Sequence, residues 1–93
     1  MIARLREPLR EAAFWARLGE AMTRGGFAEP AAVVLAAGLQ HYSDAVELHY
    51  LRGNALRAAQ RFGDAEADFR AALARAPGHR QAALSLAFML REE

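Results

Sequence analysis

The chain repeats itself at a fixed interval, the one that separates Gly19 from Gly53. Shifted by that interval, Gly19 falls on Gly53, Ala21 on Ala55, Met22 on Leu56, Ala31 on Ala65, Leu35 on Phe69, Gly38 on Ala72 and Leu39 on Leu73. A second shift carries Gly53 onto Ala87, Leu56 onto Leu90 and Arg57 onto Arg91. Matches at small residues constrain most, because two helices cross closely only over small side chains. A fixed period of this length marks stacked units, each too small to bury its own apolar face.

Each unit reads as two helices. The chain holds 23 Ala and 12 Leu but only five β-branched residues, a mixture that favours helix over strand. In the first copy the expected helices run from about Glu11 to Arg24 and on to about His41. Gly25 and Gly26 break them, and Pro30 sits in the first turn of the second. In the second copy a helix is expected from about Ala45 to Ala59, capped by Ser43 or Asp44 with Glu47 completing a capping box. Arg61, Phe62 and Gly63 are expected to form the turn, and Asp64 to cap a helix reaching about Ala76 before Pro77 and Gly78. A fifth helix is expected over about His79 to Glu92, and one short helical turn before Pro8.

A repeated helix–turn–helix unit of about 34 residues resembles the tetratricopeptide repeat (TPR) family. Trp15, Leu18, Gly19, Ala31, Leu35 and Gly38 stand at the spacing of the family signature in the first copy. Tyr50, Gly53, Leu56, Ala65, Phe69, Ala72 and Pro77 do so in the second. Three positions depart: His49 takes the place of the aromatic anchor, Arg52 stands where Leu18 stood, and Ser43 replaces the terminal proline. The resemblance implies an all-α, TPR-like α-solenoid of about five antiparallel helices in one domain, residues 1–93. Repeat 1 covers about 12–45, repeat 2 about 46–79, and 80–93 is a half repeat or capping helix. Its core is expected from Trp15, Leu18, Met22, Leu35, Leu39, Leu56, Phe69 and Leu73, with Gly19, Gly53 and Ala87 where helix backbones approach.

Several function classes are disfavoured. Twelve Arg offset eleven Asp and Glu, giving +1 with no Lys, and the signs are interspersed, so no basic stripe marks a nucleic-acid binder. Without Cys or Lys the chain has no thiolate, disulfide or lysine-nucleophile chemistry. His41, His49 and His79 lack the spacing of a zinc helix. The acids Asp44, Glu47, Asp64, Glu66 and Asp68 read as caps and solvated polar faces. No enzyme, metal or cofactor is therefore expected. The longest apolar run, Ala31 to Leu39, is far below the roughly 20 residues of a membrane span, and a cytoplasmic location is expected.

What remains is binding. The resemblance implies that the first helix of each pair lines a concave groove for a peptide or partner helix. Carried over by position, the groove residues are Ala13, Ala16, Glu20 and Arg24, then Glu47, Tyr50, Asn54 and Arg57, then Gln81, Leu84, Phe88 and Arg91. Asn54 can donate and accept, which suits an extended backbone. Arg57 and Arg91 suit carboxylates. A lysine-rich carboxylate clamp is excluded, because Ala16 and Glu20 occupy its first-copy places and the chain has no Lys.

The last helix carries Leu84, Leu86, Phe88, Met89 and Leu90, apolar nearly all round, which points to self-association or to further repeats covering it. The expected role is a non-catalytic protein-interaction module. The alternative is a structural N-terminal segment of a larger protein, enzymatic or not.

Overall fold

The computed structural model describes the backbone of residues 2–92 and the side chains of residues 12–91. The described residues form five helices and no strand: α1 (Ile2–Arg24), α2 (Ala28–His41), α3 (Val46–Ala58), α4 (Phe62–Arg75) and α5 (Arg80–Glu92). Each helix packs on the next, and α1 also packs on α3. The α1 backbone is longer than expected. It runs through Pro8, where the missing N–H removes one helical hydrogen bond.

The turns inside the two helix pairs are built alike. After α1, Phe27 N–H donates to Met22 and Gly26 N–H to Thr23, closing the helix with Gly26 at φ 91°. After α3, Arg61 N–H donates to Leu56 and Gln60 N–H to Arg57, with Gln60 at φ 65°. These are the same two bonds, one repeat on. The turn of the second pair therefore sits at Gln60, before the expected Arg61–Gly63, and α4 begins at Phe62. Asp64 is then inside the first turn, and Arg61, whose side chain makes no capping bond, stands at the N-cap. The capping box before α3 does not form either. Ala45 takes the N-cap position, while Asp44 lies 3.4 Å from Arg75.

Helices within each pair meet over glycine. A Cβ on Gly19 would run into Leu35, and one on Gly53 would come 2.6–3.0 Å from the ring of Phe69. Gly38 gives the same room to Trp15 and Leu48, which brings α2 down between α1 and α3. Leu35, Leu39, Leu56 and Phe69 are buried, and Trp15 and Met22 pack half-buried against them. Leu73 is half-buried. Leu48, Leu51 and Met89 complete the core, with Ala31, Ala55 and Ala65 at the crossings.

Two expected core positions lie outside it. Leu18 is 38% exposed, and Ala87 is exposed because no described helix covers it. Asp68 departs the other way: it is 3% exposed rather than on a solvated face. Arg52 donates to both its oxygens, at 2.6 and 2.7 Å, and His49 Nδ1 lies 3.4 Å from one of them. The Arg52 guanidinium is held above its usual pKa, chiefly by that hydrogen bonding to Asp68, against the opposing effect of burial. The three positions correspond, one repeat earlier, to Trp15, Leu18 and Val34. An apolar trio in the first pair becomes a charged network in the second.

Candidate functional site

Side chains three and four apart share one helix face, so Ala13, Ala16, Glu20 and Arg24 line up along α1. On α3 the stripe that lines the clefts beside it is Glu47, Leu51, Asn54 and Arg57. The direct packing of α1 on α3 sets the two stripes side by side. Two adjoining clefts result. One is lined by Ala12, Ala13, Ala16, Arg17, Glu20, Glu47, Leu48 and Leu51, with Ala45 at its edge. The other is lined by Glu20, Thr23, Arg24, Leu51, Asn54, Arg57 and Ala58, and has a volume of about 390 Å³. Glu20 and Leu51 belong to both, so the two form one continuous trough.

Its polar groups are unequally occupied. Thr23 Oγ1 donates to Gly19 O at 2.9 Å, so its proton is already used. Arg24 pairs with Glu20 at 3.2 Å on the exposed rim. Glu47 lies 3.8 Å from His79 Nε2, beyond hydrogen-bond reach. Arg57, half-buried, makes no ion pair among the described residues. Asn54 Oδ1 is buried and has no hydrogen-bond partner among them. A buried acceptor left unpaired costs about 1–3 kcal/mol, so a turn of the half-buried Asn54 amide that brings this oxygen to the trough would make a donor from outside favourable. One end of the trough carries Glu47 and the other Arg24 and Arg57, with Glu20 lying between them in its pair with Arg24.

The remaining groove candidates lie elsewhere. Tyr50 lines neither cleft. It packs half-buried with its ring 6.1 Å from Phe69 and 5.0 Å from His79. Gln81, Leu84, Phe88 and Arg91 are exposed on α5, and none of them lines the trough. Of the residues expected to self-associate, Met89 is 2% exposed and faces the body of the stack, while Leu86 is half-buried at the edge of the core. Leu84, Phe88 and Leu90 stay exposed, at 52%, 57% and 42%. His79 holds the start of α5, accepting from Ala82 N–H on Nδ1 at 3.0 Å.

A separate depression lies over α2, α3 and α4. It is walled by Ala32, Val33, Ala36, Leu56 and Ala67, and Arg52 and Asp68 line it too. Sequence reasoning missed this network. The signal was the paired change of two apolar residues, Leu18 and Val34, into opposite charges at the matching places of the second copy. Among the described residues, no group of three or more His, Asp or Glu side chains is placed to hold a metal ion. No described helix is long and apolar enough to cross a membrane. No family model, curated protein or solved structure matches the chain.

Proposed function

We propose that the chain is a non-catalytic protein-interaction module of tetratricopeptide-like architecture, in which the trough between α1 and α3 holds an extended peptide. The observation that carries this reading is Asn54 Oδ1, buried in the trough without a partner among the described residues. A peptide N–H supplies the missing donor, and the other half of the Asn54 amide can donate to a peptide carbonyl. Arg57, without an ion pair of its own among those residues, takes a peptide carboxylate, while Glu47 favours a basic residue at the other end. The recurrence of the same turn bonds and glycine contacts one repeat apart supports the repeat architecture. A chain without cysteine suits the reducing cytoplasm.

Selection of peptides from a random displayed library tests the reading. Selected sequences should shift the backbone amide resonances of Glu20, Leu51, Asn54 and Arg57, and should carry an acidic residue whose contribution disappears in Arg57→Ala. Selected peptides that perturb other faces and leave the trough untouched would sink it.

A further inference from the structure

The shift that carries α1 onto α3 also carries α3 onto α5. On α1, the second helix of the pair lies over Trp15 and Gly19, reached by Gly38 and Leu35. On α3 it lies over His49, Arg52 and Gly53, reached by Asp68 and Phe69. The same positions on α5 are Ala83, Leu86 and Ala87, with Leu90 one turn further along. Ala83, Ala87 and Leu90 are exposed, and Leu86 is half-buried at the edge of the core. On its other side α5 packs on α4, with Ala82 and Met89 buried like their counterparts Leu48 and Ala55. The open face of α5 thus continues the α1/α2 and α3/α4 interfaces by one further step of the same repeat.

We propose that this face is a seat for one further amphipathic helix from outside residues 1–93, and that the seat accepts a helix like α2 and rejects one like α4. Both occupied seats hold a helix with a small residue, a large one four positions on, and a small one three further: Ala31, Leu35 and Gly38 in one, Ala65, Phe69 and Ala72 in the other. The two helices differ at the residue before the large one, Val34 against Asp68. Asp68 is tolerated because Arg52 and His49 receive it. On α5 those two places hold Leu86 and Ala83, so an acid there would be buried without a cation. The partner is therefore an amphipathic helix of small–x3–large–x2–small spacing with an aliphatic residue before the large one. This seat shares no residue with the α1/α3 trough.

The probe is the chain's own α2 as a peptide, residues 25–42, titrated into the full chain and followed by amide resonances. Isolated helices of this length are marginal in water, so the same peptide is also joined to the C-terminus by a flexible linker. Resonances of α5 should shift, and Ala87→Arg, an exposed position, should remove the effect. A Val34→Asp peptide should bind at least about tenfold more weakly. Asn54→Ala should change nothing, which separates this seat from the trough. Absence of α5 shifts in both formats, or equal binding by the Val34→Asp peptide, overturns the proposal and leaves the trough reading standing.

Discussion

Replacing Asp68 by Val removes both short hydrogen bonds from Arg52 and the contact with His49. Breaking a buried ion pair costs about 3–5 kcal/mol, because the surviving charge keeps its desolvation without its partner. The Arg52 side chain is 29% exposed and regains some water, which lowers the expected loss to about 2–4 kcal/mol. A small domain holds roughly 0.05–0.15 kcal/mol per residue, so this is a large part of the total. At about 4–8 °C per kcal/mol, Tm should fall by roughly 8–32 °C.

The chain also supplies its own repair, since the first copy has Leu18 and Val34 at these places. Arg52→Leu with Asp68→Val should restore wild-type stability or exceed it, because a packed apolar pair often matches or outdoes a buried ion pair. Urea unfolding followed by far-ultraviolet circular dichroism gives all four corners of the cycle. The two single changes should be coupled by at least about 2 kcal/mol. A double variant no more stable than Asp68→Val would refute the idea that the two arrangements are interchangeable.

Other substitutions test the packing. Gly53→Ala forces a Cβ against the Phe69 ring and should cost about 1–3 kcal/mol in chemical denaturation. Gly63→Ala, with open space around it in α4, should stabilise by about 0.5–1 kcal/mol. Gln60→Gly relieves a left-handed φ of 65° and should raise Tm, with a gain of about 1 kcal/mol. Met89→Ala should cost about 2–5 kcal/mol because the side chain is enclosed, whereas Phe88→Ala on the exposed face should stay within about 0.5 kcal/mol.

The sequence signalled the helices and the glycine crossings because both rest on residue type at fixed spacing. Gly19 and Gly53 needed no knowledge of the partner helix, since the repeat shift singles them out. Caps were less legible. Ser43, Asp44 and Asp64 have the right chemistry, but a cap depends on where the preceding turn closes. Gly63 looked like the breaker, yet the left-handed position is Gln60, the counterpart of Gly26. Following the shift instead of residue preference would have placed that turn. Asp68 was hidden for another reason: its cation, Arg52, lies on another helix, beyond any local pattern. The trough was only half legible. The spacing taken from the resemblance put Ala13, Ala16, Glu20, Arg24, Glu47, Asn54 and Arg57 on one surface, but it missed that Tyr50 turns into a ring cluster.

The sharpest test of the trough is one isotherm, that of a library-selected peptide binding to Asn54→Ala beside the wild type. The substitution removes a buried acceptor that has no partner among the described residues, so thermal stability should hold or rise. Affinity should nevertheless fall by about 1.4 kcal/mol or more, tenfold, because the peptide N–H loses its acceptor. Unchanged affinity in a stably folded Asn54→Ala chain would overturn the trough reading, since the oxygen on which it rests would then have no part in binding.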